Sequence, residues 1–299
     1  MPARPNVDSH AADYIVTNWY TKNKNYYGKA DVTFVRDPLD SQNYTYTVLK
    51  VGYPKGSYAP IGTKKTSAVE GGVEFYSVPY AGYSFNTAYL SYDLMFDENF
   101  DWVKGGKLPG IYGGPPGEGC SGGEKATGEN CFSVRLMWRN SGHGEAYAYI
   151  PTSDNLCKTK HVICNDDYGT SFSRGVIKFE KKKWTHIDLY VRLNSGNNEN
   201  GILKVWQDGS LVINQQQLKF RSKDSVGVSA LMFSTFFGGG SQSYATPVDT
   251  ATYYKNIQFS TNDTIDPSTV SFAPSSLTIS VWTSLYCTLA TLLLSVLFS

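Results

Sequence analysis

CFSVRLMWR, NSGHG and EAYAYIP follow one another from Cys131 to Pro151. In the first run Phe132, Val134, Leu136 and Trp138 point one way, and Ser133, Arg135, Met137 and Arg139 the other. In the last run Ala146, Ala148 and Ile150 oppose Glu145, Tyr147 and Tyr149. Period-two alternation marks a strand with one buried face, and the Gly-rich residues between the runs make a turn. The stretch is a β-hairpin. With Arg139 paired to Glu145, Arg135 falls opposite Tyr149 and Met137 opposite Tyr147. A one-residue slip would send the tyrosines to the apolar face, so burial should fix the register. The hairpin predicts an open sheet face with Ser133, Arg135, Tyr147 and Tyr149 within reach of one another.

The same pattern extends outward from the hairpin. Before it, DVTFVRD, YTYTVLKVGY, VEFYSVPY and TAYLSYDLMF are short β-branched and aromatic runs separated by Gly and Pro. After it, Ile187, Leu189, Val191 and Leu193 face a core while His186, Asp188, Tyr190 and Arg192 face out. A hairpin turns at Asp208-Gly209, VGVSALMFSTFF is a buried strand, and TYYKNIQF a last one. Short strands at regular spacing with turn signals predict an all-β fold, a β-sandwich or β-jelly roll. Residues 97–130, with WVKGGKLPGIYGGPPGEGCSGGEK inside, read as one long loop; loops of that length in a compact domain are usually functional or disordered, and the Cys pair implies that this one is ordered. Residues 31–260 are expected to be the β-domain, with 1–30 a segment that joins it.

The 299 residues suit one large all-β domain or two smaller ones, and aromatics at 14%, with 22 tyrosines, favour strands and a ligand-binding surface. A net charge of +1 gives no bulk attraction for nucleic acid or another polyanion, so an acidic ligand would need a local basic cluster. Of five cysteines, Cys120, Cys131, Cys157 and Cys164 lie in the body and Cys287 in the tail. Four allow three connectivities, and the short spacings favour Cys120–Cys131 and Cys157–Cys164. Zinc is the rival reading, weakened by the absence of CxxC and the scarcity of His. Sequons at Asn43 and Asn262 agree with an oxidising secretory route.

Residues 281–299 are apolar and uncharged, preceded by a Ser/Thr/Pro-rich spacer over 261–280. That arrangement reads as a GPI-attachment signal, since no basic flank follows to hold a membrane-spanning helix. The expected location is the extracellular cell surface, with the membrane touched only through that anchor or tail. MPARPNVDSHAADY has no apolar h-region, so no signal peptide is visible and an upstream leader is expected.

Lys104 and Lys107 stand among glycines in KGGKLPG, and spacing alone reads them as solvated lysines at the rim of a sheet. The Ser133/Arg135/Tyr147/Tyr149 face likewise has a plain reading as a solvated strand face. GGKLPG lacks the phosphate-loop pattern, no nucleophile elbow is present, and no carboxylate pair stands out for glycoside hydrolysis.

KGGKLPG, SVRLMWR, GEAYAYIP and FFGG followed by ATPVDTATYYKNIQF, in this order, resemble the alginate and glucuronan lyases of polysaccharide lyase family 14. The likeness covers most of residues 60–260 and looks closest to a fungal, secreted, often GPI-linked branch. It implies a β-jelly roll with a concave cleft. It places the family's catalytic residues on Lys107 (Lys104 as fallback), Ser133, Arg135, Tyr147 and Tyr149. Substrate contacts are expected from Lys104, Arg139, His143, Asp249 and Tyr254, with His186 a further possibility.

The implied reaction is β-elimination on a uronate-containing polysaccharide, glucuronan or an alginate-like polymer. It must neutralise the C6 carboxylate, remove the C5 proton and protonate O4. Arg135 suits the carboxylate, and Tyr149, its pKa lowered by neighbouring cations, serves as base and acid, with Lys107 the alternative base. No metal or cofactor is required, the partner is an acidic polysaccharide and not nucleic acid, and a monomer is expected. The competing functions are a non-catalytic carbohydrate-binding jelly roll and a glucan hydrolase.

Overall fold

The computed structural model describes residues 1–2, 10–21, 26–40, 46–59 and 69–261. The sequons at Asn43 and Asn262, the spacer and the apolar tail lie outside them. Among the described residues no helix is long and apolar enough to cross a membrane.

Among the described residues fourteen strands form two seven-stranded sheets packed face to face. The back sheet contains β1 (Val32–Arg36), β2 (Thr47–Tyr53), β4 (Thr87–Phe96), β10 (Thr185–Arg192), β11 (Gly201–Gln207), β12 (Ser210–Leu218) and β14 (Thr250–Ser260), in the order β1-β2-β14-β4-β10-β11-β12. The front sheet contains β3 (Val73–Ser77), β5 (Gly106–Gly113), β6 (Phe132–Trp138), β7 (His143–Tyr149), β8 (Val162–Ile163), β9 (Thr170–Lys178) and β13 (Val228–Phe237), in the order β3-β13-β5-β6-β7-β9-β8. All strand pairs are antiparallel, as the alternating runs require. The helix α1 (His10–Asn18) buries Ala11, Ala12 and Ile15 in the same core. A one-turn helix, α2 (Asp154–Lys158), is capped by Ser153, whose Oγ accepts the Leu156 N–H.

The apolar faces assigned from alternation are those buried between the sheets. Val134, Leu136 and Trp138 share one core cluster with Leu90, Leu94, Ile187 and Leu189, all fully buried. The disulfides are Cys120–Cys131 and Cys157–Cys164, the pairing that short spacing favours.

Three expectations are corrected. The β6–β7 register is shifted by two residues: Ser133 opposes Tyr149, Arg135 opposes Tyr147 and Met137 opposes Glu145. A two-residue shift keeps every side chain on its face, so burial cannot detect it, and the turn decides instead. Ser141 (φ 58°) and Gly142 (φ 73°) take left-handed conformations, and Arg139 N–H bonds His143 O, a tighter closure than NSGHG implied. The supposed loop 97–130 contains β5, inserted between β13 and β6. Its alternation is broken by a bulge between Leu108 and Gly110, which lets Leu108 and Ile111 both reach the core while Lys107 and Tyr112 face outward. Tyr254 is fully buried between the sheets and is not a cleft residue. Its hydroxyl joins those of Tyr53, Thr235 and Thr252 in one hydrogen-bonded knot.

His186 is also far from the front face. On the outer side of the back sheet its Nδ1 lies 2.6 Å from Asp93 and its Nε2 3.2 Å from the buried Asp188. The two carboxylates raise its pKa from 6.5 to about 10, against the opposing effect of burial. A raised folded-state pKa stabilises the fold fully below pH 6.5, and that contribution is lost as pH rises through about 10. Urea unfolding across this range should show wild type losing on the order of 1–3 kcal/mol more than His186→Gln. Parallel pH profiles for the two proteins would show that the aspartates do not hold the ring charged.

Candidate active site

The outward face of the front sheet is a grid set by strand register. One cross-strand row is Lys107–Met137–Glu145, the next Arg135–Tyr147–Ser171, and the third Tyr112–Ser133–Tyr149. The five residues on which the chemistry was placed therefore lie on three adjacent strands, Lys107 alone on β5 and the pairs on β6 and β7 each two residues apart.

This face is not open. The loop clasped by Cys120–Cys131 folds back over it. Ser133 Oγ donates to Cys120 O at 2.6 Å, Gly123 N–H donates to Tyr149 Oη at 3.0 Å, and Arg135 Nη2 donates to Ser121 Oγ at 3.3 Å. Ser133, Arg135 and Tyr149 are buried as a result. Arg135 also donates to Ser234 Oγ at 3.2 Å and lies 3.8 Å from Glu74, while its Nε has no partner among the described residues.

Beside the loop the face opens into a cleft of about 510 Å³. Lys107, Tyr147, Arg139 and Arg174 line it, with Tyr168 and Tyr244 on its walls. Lys107 is held on a strand and not on a solvated loop, which corrects the reading from spacing. Its ammonium lies 4.0 Å over the Tyr147 ring and 3.0 Å from Met137 Sδ. Burial, then the positive charges of Arg135 and Arg139, hold its pKa well below the usual 10.5. Burial pushes the Tyr147 phenol in the other direction, keeping it protonated. Tyr147 Oη accepts Gly169 N–H at 2.9 Å, an approach that only a residue without Cβ permits, since a Cβ there would sit 2.9 Å from Tyr147 Cζ.

The remaining expected contacts divide. Lys104 is exposed at the cleft margin, bonded to Ser243 at 2.9 Å and 5.4 Å over Tyr244. Arg139 lines the cleft. His143 stands one pair beyond Glu145 on β7, near Gly175. Asp249 is not in the cleft: its carboxylate accepts Lys55 N–H at 2.7 Å and its carbonyl accepts from Asn99, clasping two turns together.

Sequence reasoning missed Arg174 and Ser171, and it paired Glu145 with Arg139 without giving it a role in the site. Glu145 is wholly buried, takes Arg139 on one oxygen and Arg174 on the other, and accepts Ser171 Oγ at 2.9 Å. The available signal was the odd spacing of the apolar residues Phe172 and Ile177, which forces a bulge in β9.

A larger cavity, about 690 Å³, lies elsewhere, at the ends of β3 and β14. Its lysine, Lys255, is already ion-paired with Asp37 at 2.8 Å, and it holds none of the residues above.

A cleft lined by cations on the face of a β-sandwich is suited to an acidic chain. The chain belongs to polysaccharide lyase family 14, whose profile matches residues 41–257. It is similar to the marine PL-14 alginate lyase from Aplysia kurodai, at 34% identity over 86% of this chain and 96% of that one, with a TM-score of 0.73. An alginate lyase from Chlorella virus shares the fold at 19% identity, over 86% of this chain and 98% of that one, with a TM-score of 0.67. Exolysin of Paramecium bursaria Chlorella virus 1 is 25% identical over 229 residues, 69% of this chain and 33% of the relative. The chain thus spans about a third of that curated relative.

Proposed function

We propose that this protein cleaves a uronate-containing polysaccharide, alginate-like or glucuronan, by β-elimination, and that Lys107 is the base. The observation that carries the reading is the Lys107 amine, its proton affinity lowered by burial and two guanidinia, lying over Tyr147 in an open cationic cleft. Lys107 Nζ takes the C5 proton, the C5 electron pair forms the C4=C5 double bond, and the C4–O4 bond breaks. Tyr147, kept protonated by its raised pKa, gives O4 its proton and recovers one from solvent, and the Lys107 ammonium returns its proton to solvent. Arg135, beneath the cleft floor, supplies positive field for the charge that builds on the C6 carboxylate. Ser133 and Tyr149 hold the clasped loop in place over that floor. This moves the base from Tyr149 to Lys107 and the acid from Tyr149 to Tyr147.

Among the described residues Glu145 is the one fully buried carboxylate on this face, and two arginines hold both its oxygens. With both oxygens so engaged it cannot reach a glycosidic oxygen, which disfavours glycoside hydrolysis. Anchoring at the cell surface stays part of the proposal and is supported by the composition of residues 261–299.

The test follows the absorbance of unsaturated uronate ends in digests of glucuronan and polymannuronate. A rising signal, abolished in Lys107→Ala, supports the reading, and a flat signal on both polymers with binding retained returns it to a binding module. The kcat/KM should rise with pH and level off well below 10.5, the ordinary lysine value. An acidic optimum would exclude an amine base.

A further inference from the structure

We infer that Arg174 and Arg139, bridged by the buried Glu145, form a second carboxylate subsite that grips the uronate next to the one being cleaved. The inference rests on the lyase reading for the identity of the ligand, but not for the existence of the site.

Alternation along β9 should turn Arg174 toward the core, because Ser171 faces outward and Phe172 inward. Ser173 (φ 52°) and Gly175 (φ 85°) instead form a bulge opposite Gly144–Ala146, and the bulge re-aims Arg174 onto the outward face. There its Nε donates to Glu145 Oε2 at 2.6 Å and its Nη2 to Ser171 Oγ at 2.8 Å. Arg139 spends Nε and Nη2 on Glu145 Oε1. Each guanidinium therefore keeps an Nη1 with no partner among the described residues. Both side chains line the cleft beside Lys107, Arg174 with 45% of its side chain exposed and Arg139 with 18%.

Two arginines against one carboxylate leave a net positive charge in a partly dry cleft. A structural ion pair would need only one of them. Held by a carboxylate with no solvent contact, the two forks are pre-oriented, so a ligand carboxylate binds without ordering them first. Arg135 is shut under the clasped loop and cannot fill this role, whereas Arg139 and Arg174 are reachable. A uronate polymer carries a carboxylate on every residue, so the neighbour of the reacting sugar presents the charge that this pair fits.

The experiment measures kinetics of Arg174→Ala, Arg174→Gln and Arg174→Lys on polymannuronate and glucuronan. It also measures binding of the saturated trisaccharides to Lys107→Ala with and without Arg174→Gln. Carboxyl-reduced polymer, the same backbone without its charge, is the control. The expected result is a KM raised about ten-fold in Arg174→Ala and Arg174→Gln, with kcat within about two-fold, and most of the loss recovered in Arg174→Lys. Added salt should shrink the difference, and the reduced polymer should bind Arg174 variants and their parent alike. An unchanged KM in both neutral variants at unchanged Tm, or an equal loss on the reduced polymer, overturns the inference. Elimination with an Arg174-independent KM sinks the subsite alone. Arg174-dependent trisaccharide binding without elimination sinks the lyase reading alone.

Discussion

Lys107→Met should abolish elimination and yet make the protein more stable at neutral pH. Loss of a general base costs about 10²–10⁴ in rate. The stability gain follows from where the amine sits. A charged ammonium against Met137 Sδ and the Tyr147 ring, facing Arg135 and Arg139, is desolvated and repelled. The cation–π contact returns about 0.5–2 kcal/mol, while the effective penalty for burying an ion is several kcal/mol. Methionine fills similar volume without the charge. A net gain of about 1 kcal/mol raises Tm by about 2–4 °C for a domain of this size. The sign with pH is also fixed. The unfolded chain holds the lysine proton up to 10.5 and the folded one releases it earlier, so the native protein gains stability as pH rises between the lowered pKa and 10.5. The methionine variant should lose that rise. Calorimetry at several pH values beside the absorbance assay checks both halves. A drop in Tm together with lost activity would mean that Lys107 is part of the packing and not a poised base.

His186 and Lys107 pull in opposite directions over the same range. Rising pH releases the strain at Lys107 and frees its lone pair, while the stability contributed by the His186 clamp on the back sheet is drawn down from pH 6.5 and gone by about 10. The two groups face away from each other on different sheets and share no partner, so their contributions should add. The gain at Lys107 therefore offsets part of the loss at His186 across the alkaline range in which the reaction is expected to run.

Alternation made the sheet faces legible in the sequence, and it failed where a strand carries a bulge. Leu108 and Ile111 both reach the core at odd spacing, and Gly-Pro-Gly chemistry around them imitates a loop, so β5 was hidden. Phe172 and Ile177 show the same break in β9, and with it went Arg174. Tyr253 and Tyr254 are neighbours of which one faces in, and only the waiting hydroxyls of Thr235 and Tyr53 make it Tyr254. Lys107 was singled out by resemblance, since nothing local distinguishes it from Lys104. Ser133, Arg135, Tyr147 and Tyr149 were placed on one face by period alone, but that the clasped loop would cover three of them was not readable from the spacing of Cys120 and Cys131.

Opening that clasp with Cys120→Ser and Cys131→Ser together should cost about 2–3 kcal/mol of stability, from the freedom returned to the short unfolded loop. The larger effect is expected on rate. Unclasped, the loop no longer holds Cys120 O on Ser133, Ser121 Oγ on Arg135 and Gly123 N–H on Tyr149. A buried guanidinium with an orphaned Nε would then lose one of its few partners and gain water, and a wet arginine projects a weaker field at Lys107. The kcat should fall about ten-fold at temperatures well below the variant's own Tm, and the pH at which activity levels off should move up toward 10.5, because Lys107 is less depressed. That second shift separates the argument from simple unfolding, which lowers the amplitude of the profile and leaves its midpoint alone. An increase in kcat with the midpoint unmoved would instead identify the loop as a barrier that keeps polymer from Arg135, and the dry floor under Lys107 would cease to be the source of its reactivity.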